Sequence, residues 1–164
     1  EVKKYINNLL NEDNFRKYII NYLLINYGVR NADINLLITT DKSVTLKRNT
    51  LKMNYLYVTP RYIIYQRNDY KTVGVYGRKT YKILNLSFRN SVSILLANKK
   101  ECSLLFDCDD DTYNDTQIGN KILNATYNKL GETSYFKLLI KHYQQEQNID
   151  MIRFLSQSRG TNCI

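Results

Sequence analysis

The stretch YLLINYGVRNADINLL, residues 22–37, decides the fold that this sequence predicts. Its apolar run stops at Gly28, and a glycine directly after a helical pattern is typical of a helix that closes in a left-handed turn. Arg30 and Asp33 follow, and residues 32–38 resume an apolar pattern that predicts a second, short helix. The stretch therefore predicts two helices joined by a tight turn that carries an arginine and an acid.

Periodicity outside this stretch predicts a single α+β domain over residues 1–164. Upstream, residues 2–27 repeat apolar side chains at helical spacing, with a break expected at 11–14. Residues 55–83 change to short Tyr-, Ile- and Val-rich runs separated by turn residues, which indicates a small antiparallel sheet. Helical spacing then returns in four further segments, at residues 88–97, 118–130, 134–143 and 149–157. Helices, a small sheet and helices again predict a mostly helical α+β fold rather than a doubly wound one.

The charge balance favours a polyanionic partner. The chain has 24 Lys and Arg residues against 15 Asp and Glu residues, which gives a net charge of +9. Such an excess is typical of proteins that bind nucleic acid. No run of about twenty apolar residues is present, which excludes a transmembrane span. We expect an intracellular location, with the nucleus or a viral replication compartment as options. The richness in Asn, Ile, Lys and Tyr indicates an AT-rich genome, such as that of a large DNA virus.

Several other site chemistries are disfavoured by the sequence. Cys102, Cys108 and Cys163 lack zinc-site spacing, so we interpret them as small buried residues in a reducing compartment. The acidic run at 107–111 lacks the glycine and terminal glutamate of a calcium loop, so we expect a solvated loop. The one histidine is His142, and the sequence contains no nucleophile elbow, which disfavours a Ser-His-Asp hydrolase. The sequence predicts no metal site and no cofactor.

The run Gly28-Val29-Arg30-Asn31-Ala32-Asp33 resembles the first signature of the tyrosine recombinase (phage integrase) family. That signature is an apolar helix, Gly-Leu-Arg, two variable residues and an acid. The resemblance implies that Arg30 is the first catalytic arginine and that Asp33 supports the turn. A guanidinium group suits this chemistry because it stays charged and contacts two non-bridging phosphate oxygens at once.

The stretch RYIIYQRNDYKTVGVYGRKTYKILNLS, residues 61–87, resembles the β-hairpin that carries the family's catalytic lysine. The resemblance implies that Lys71, expected at the end of the second strand, protonates the leaving 5′ oxygen. Lys79 is the alternative. A lysine acts as such an acid when nearby cations lower its pKa. Arg78, Lys79 and Lys141 are predicted to contact DNA.

The last two signatures of the family are matched less closely. Ser134 and Lys137 stand where the family has His-x-x-Arg, and lysine keeps the charge but loses the bidentate fork. Phe154-Leu155-Ser156-Gln157 resembles Leu-Leu-Gly-His, which places Gln157 at the phosphate, or Arg159 in another register. The family's nucleophilic tyrosine should follow about nine residues later, and no tyrosine of the chain follows Tyr143.

The resemblance implies cleavage and rejoining of duplex DNA through a 3′-phosphotyrosyl intermediate, without metal or ATP, and it allows a homo-oligomer on DNA. Type IB topoisomerases share this catalytic set. We expect the family's N-terminal DNA-clamping domain and its tyrosine-bearing segment to lie outside residues 1–164. Two alternatives stay open: a catalytically inactive DNA-binding relative, and a basic helical domain that binds RNA or protein with a coincidental Arg30 motif.

Overall fold

The computed structural model describes residues 1–105 and 114–160. Helices dominate this part of the chain, with short 3₁₀ turns at Asn31–Asp33, Thr50–Lys52 and Tyr127–Lys129. The α-helices are α1 (Val2–Asn11), α2 (Phe15–Tyr27), α3 (Lys42–Thr45), α4 (Val73–Tyr76), α5 (Leu86–Leu96), α6 (Asp115–Ala125), α7 (Glu132–Gln145) and α8 (Ile149–Arg159).

The described residues form a five-stranded mixed sheet whose strands are interspersed along the chain with α3, α4 and α5. Its strands are β1 (Leu37–Thr39), β2 (Tyr55–Val58), β3 (Ile63–Arg67), β4 (Lys79–Ile83) and β5 (Glu101–Ser103). The spatial order is β4-β3-β2-β1-β5. Strands β2, β3 and β4 form an antiparallel meander, whereas β1 runs parallel to β2 and antiparallel to β5. Tyr65 of β3 faces Tyr81 of β4 in this register.

The predicted α+β class is confirmed, and so are several boundaries. The helix break falls where the pattern placed it, since α1 ends at Asn11 and α2 begins at Phe15. Gly28 closes α2 with a left-handed φ of 59°. The four later helical segments correspond to α5, α6, α7 and α8.

Three details of the sequence prediction are wrong. Residues 32–38 do not form a helix, because Ile34, Leu36 and Ile38 are buried on alternate positions, which is the period of a strand. The sheet is mixed rather than antiparallel, since β1 and β5 were not expected. Lys71 does not end a strand: β3 stops at Arg67, and the chain then forms a turn and α4 before β4.

Helix α2 is central to the core. Its side chains Ile19 and Leu23 are fully buried, and the helix packs against α1, α5, α6 and α8. Asn21 joins three of the helices: its Nδ2 donates to the Ala125 carbonyl at 2.8 Å, and its Oδ1 accepts from the Tyr135 hydroxyl at 2.9 Å. Helix α2 is thereby fixed to α6 and α7, and its C-terminal end carries the Gly28 turn.

Candidate phosphate-binding site

The Gly28 turn is the first of three segments that meet at one place. The Gly28 N–H donates to the Leu24 carbonyl at 3.1 Å and closes α2. A Cβ at Gly28 would lie 3.0 Å from Leu155 Cδ2 and 3.5 Å from Ser158 Cβ. Helix α8 therefore packs directly on this turn. The position needs glycine both for its positive φ and for this close approach.

Arg30 and Asp33 form an ion pair on the 3₁₀ turn that follows. Arg30 Nε lies 3.2 Å from Asp33 Oδ2, and the Asp33 N–H donates to the Arg30 carbonyl at 2.9 Å. The Arg30 side chain is 33% exposed and that of Asp33 is 9% exposed. The Arg30 side chain is therefore partly open to solvent, whereas the Asp33 side chain is largely buried.

The environment of Asp33 contains a second arginine. Burial raises the pKa of Asp33, while Arg30, through its hydrogen bond and its charge, and Arg67, through its charge, lower it. Asp69 acts in the same direction as burial. Arg67 and Asp69 thus lie within electrostatic range of the Arg30–Asp33 pair, although they come from the far end of β3 and the loop behind it.

Arg67, the last residue of β3, is 2% exposed. Its Nη1 donates to the Tyr27 carbonyl at 3.2 Å and to Ser158 Oγ at 2.7 Å. The Ser158 hydroxyl in turn donates to the same Tyr27 carbonyl at 2.7 Å. These three bonds connect the end of α2, the end of β3 and the last turn of α8. The Arg67 guanidinium carbon also lies 4.5 Å from the centre of the Tyr70 ring.

The segment that carries Lys71 rests on the end of α8. Thr72 Oγ1 donates to the Gln157 carbonyl at 2.8 Å. A Cβ added at Gly160 would lie 3.0 Å from Thr72 Cγ2 and 3.5 Å from Lys71 Cε. The aliphatic part of Lys71 therefore packs against the C-cap of α8. Gly160 adopts the left-handed conformation there, with a φ of 68°.

Arg159, at the end of α8, has a carboxylate partner on α7. Its Nη1 donates to Glu132 Oε1 at 2.8 Å, and its guanidinium carbon lies 5.0 Å from the centre of the Phe136 ring. Glu132 and Arg159 share a small surface pocket with Val29 and Asn31, the two neighbours of Arg30. The start of α7 therefore reaches the same region as the Arg30 turn.

The structure thus brings together three of the segments that the sequence singled out: the Arg30 turn, the Lys71 segment and the end of α8 with Gln157 and Arg159. The other candidates lie apart from these contacts. Ser134, Lys137 and Lys141 are exposed on α7, on the side away from its buried residues. Arg78 and Lys79 are exposed where β4 begins. Among the described contacts, none joins these five residues to Arg30 or Lys71.

Two residues of this region were missed at the sequence level, namely Arg67 and Glu132. The alternation of β3 contains the signal for Arg67, since residues 63, 65 and 67 share one face, and Ile63 and Tyr65 are typical inward residues. An arginine in that register has to be buried. No local pattern marks Glu132, because its role depends on the packing of α7 against α8.

The tyrosines nearest the second signature are structural. Tyr135 and Tyr143 are 3% and 9% exposed and belong to the core face of α7. Burial raises the pKa of both hydroxyl groups, and that of Tyr135 is also bonded to Asn21. Tyr135, a buried phenol that already donates a hydrogen bond, is not placed to attack a phosphate.

Little else in the described residues suggests a reactive site. No group of three or more His, Cys, Asp or Glu side chains in residues 1–105 and 114–160 is arranged to hold a metal ion. No helix in the same ranges is both long and apolar enough to cross a bilayer. Cys102 is buried as expected, whereas Cys108, Cys163 and the acidic run at 107–111 lie outside the described residues. His142 is half-buried and faces Glu146 at 3.2 Å.

Comparison of the chain with protein-family models, with curated proteins and with solved structures gives no match.

Proposed function

We propose that this domain binds duplex DNA and holds one backbone phosphate between the Arg30 turn, the Lys71 segment and the end of α8, in the manner of a tyrosine recombinase catalytic domain. One observation carries the proposal. Three segments named separately for their resemblance to that family, and separated by up to 130 residues, are joined in space by Ser158, Arg67 and the Thr72–Gln157 hydrogen bond.

The side chains at this junction suit an anion. Arg30 is partly exposed and oriented by Asp33, and a guanidinium group fixed in this way offers paired donors to a phosphate. Lys71 is exposed to solvent while its aliphatic part packs on the α8 cap, so its ammonium group has a restricted range. The net charge of +9 adds the long-range attraction that brings polyanions to such a site.

In the chemistry that we propose, Arg30 neutralises the non-bridging oxygens of the scissile phosphate. Lys71 supplies the proton that the leaving 5′ oxygen takes up. Gln157, whose carbonyl is bonded to Thr72, carries an exposed side chain on the same turn and completes the phosphate contacts. The nucleophile in this scheme is a tyrosine that residues 135 and 143 do not provide.

A catalytically inactive DNA-binding relative is the second candidate, and Arg159 favours it. Its guanidinium group is bonded to Glu132, and its side chain is only 13% exposed. An arginine engaged by a carboxylate is a poorer phosphate ligand than a free one, because the two anions compete for the same donors. Ser134 and Lys137, on the solvent side of α7, add no donor to the junction in this arrangement.

Salt-dependent DNA binding of Arg30→Gln tests the proposed function. The logarithm of the affinity falls with the logarithm of salt concentration by about 0.9 for each phosphate contact. We expect Arg30→Gln to weaken binding and to reduce that slope by about 0.9. Arg153→Gln, which removes the same charge from the exposed face of α8, is the matched control and should leave the slope nearly unchanged. Equal slopes for wild type and Arg30→Gln would contradict a phosphate contact at Arg30.

A further inference from the structure

Arg67 is the largest of the fully buried side chains in the described residues, and its burial is unusual for an arginine. Its Nη1 is bonded to the Tyr27 carbonyl and to Ser158 Oγ, whereas its Nε and Nη2 have no acceptor in good hydrogen-bond geometry among the described residues, although the Tyr81 hydroxyl is close enough to interact with the guanidinium group. Both of these nitrogens are inaccessible to solvent. The guanidinium group is therefore closed off from any ligand in this arrangement.

Such an arrangement is costly if its role is packing alone. Burying a charge with unused donors is unfavourable, and an apolar side chain of similar volume often serves a core better. A compensating charge comes from Asp33, whose pKa Arg67 lowers without a direct hydrogen bond. The place of Arg67 in the core is therefore better explained by the segments that its guanidinium group joins than by packing alone.

The bonding partners of Arg67 are neighbours of the phosphate-binding residues. Tyr27 directly precedes the Gly28 turn that leads to Arg30. Ser158 lies between Gln157 and Arg159, and Tyr70, whose ring stacks on the guanidinium group, directly precedes Lys71. One rigid planar group thus contacts the base of all three segments of the site.

We propose that Arg67 is a positioning residue, which sets the placement of the Arg30 turn relative to the end of α8 and the Lys71 segment. This inference rests on the proposed function for its consequence, which is the placement of phosphate ligands. Arg67 touches no phosphate itself. Its Nη1 holds the Tyr27 carbonyl and the Ser158 hydroxyl together while the guanidinium plane lies over the Tyr70 ring, and lysine cannot make both sets of contacts because its ammonium group is not planar.

A double-mutant cycle between Arg67 and Arg30 tests the inference on DNA. If Arg67 places Arg30, the loss caused by Arg30→Gln should be largely absent in an Arg67→Met background, because the phosphate contact is already lost there. We expect the salt slope to fall by about 0.9 for either single variant and by little more for the double variant. The salt slope of Arg67→Lys, which keeps the charge, should lie between those of wild type and Arg67→Met.

Two serines on α8 provide a variant and a matched control, and both substitutions leave the buried charge of Arg67 in place. Ser158 accepts from Arg67, whereas Ser156 is equally buried and its hydroxyl has no partner among the described residues. We expect Ser158→Ala to reduce DNA affinity in the same direction as Arg67→Lys, and Ser156→Ala to leave it unchanged. If Arg67→Met fails to fold, Ser158→Ala still tests the positioning role of Arg67.

A measurement without DNA separates this inference from the proposed function. The NMR signal of the Arg30 Nε–H reports its bond to Asp33, and it should move in Arg67→Lys and in Ser158→Ala but not in Ser156→Ala. An unchanged Arg30 signal in the first two variants would overturn the positioning role, as would fully additive effects in the double-mutant cycle. If the signal moves but Arg30→Gln binds DNA like wild type, the positioning role stands and the proposed function fails.

Discussion

At the scale of single residues, two opposing effects set the pKa of the Asp33 carboxyl group. Burial raises its pKa, and Arg30 and Arg67 counteract burial from two sides. Since the pKa of Asp33 is higher in the folded state than in the unfolded state, the folded state binds the proton more tightly between these two pH values. Stability therefore decreases as pH rises from the ordinary aspartate value through the raised folded value. Asp33 is thus retained at neutral pH at a cost in stability, in return for an ordered Arg30.

Removing Arg30 should raise the pKa of Asp33 further. Arg30→Gln deletes a hydrogen bond and a positive charge that both favour the carboxylate, while leaving the burial in place. The pH range over which stability falls should therefore extend upward in the variant. A carbon-detected NMR titration of the aspartate carboxyl groups measures this. Asp41 is the internal control, because Ser43, Lys100 and Lys47 lower its pKa and none of them contacts the site. A lowered or unchanged pKa of Asp33 in Arg30→Gln would contradict the role of the ion pair in stabilising the carboxylate.

At the scale of elements, the packing of α8 on the end of α2 holds the site together. The contact is close because Gly28 has no side chain, and the chain leaves α2 in a conformation that L-residues avoid. The buried Asn21–Tyr135 hydrogen bond fixes the same helix to α7, whose first turn carries the Glu132 partner of Arg159. Displacing either contact should shift together the residues that we propose to bind phosphate.

Gly28→Ala should destabilise the fold by about 1–2 kcal/mol, which is the ordinary cost of a left-handed residue with a Cβ. The new methyl group would also meet Leu155 Cδ2 at 3.0 Å. Gly119→Ala is the matched control: this glycine lies inside α6, and a Cβ added there would have nothing within 4 Å, so alanine should stabilise the helix by about 0.5–1 kcal/mol. Urea unfolding measures both. Destabilisation by both variants alike would refute the account of Gly28.

Tyr135→Phe should cost about 1–3 kcal/mol, because it leaves the buried Asn21 Oδ1 without its donor. Tyr143→Phe on the same face of α7 removes a hydroxyl to which no hydrogen bond is assigned among the described residues, and it should change stability by less than Tyr135→Phe. The difference between the two midpoints of urea unfolding isolates the Asn21 bond. Equal midpoints would mean that the bond contributes nothing to holding α7 on α2.

The sequence predicted elements better than it predicted the site. The end of α2 at Gly28 and the helix break at 11–14 could be predicted because their signals lie in the local sequence. Strand β1 was mistaken for a helix because its three residues are too few to separate a period of two from helical spacing, and its partner β5 lies more than sixty residues away. The burial of Arg67 could be predicted from the alternation of β3, but the partners of Arg67 and Glu132 could not, since they are on α8 and become neighbours only when the chain folds.

At the scale of the whole molecule, the excess of positive charge and the convergence of three distant segments support binding of DNA more directly than they support cleavage. Attraction and phosphate contacts require only cations in the right place. Cleavage requires in addition an oxygen nucleophile in line with the leaving group. The tyrosines of α7 are packed into the core, so the arrangement of the described residues favours the proposed binding over the proposed cleavage.

We expect the 164-residue chain to bind DNA without forming a covalent adduct. Tyr135 and Tyr143 are buried, and the Tyr70 hydroxyl, beside the site, is already bonded to the Gly77 carbonyl at 2.6 Å. Incubation with nicked suicide substrates, followed by denaturing gel electrophoresis, measures adduct formation. An adduct that disappears in Tyr143→Phe would show that α7 rearranges to supply the nucleophile, and one that disappears in Tyr70→Phe would place the nucleophile in the Lys71 segment. Either result would replace the binding-only expectation with an active recombinase whose tyrosine precedes its usual position.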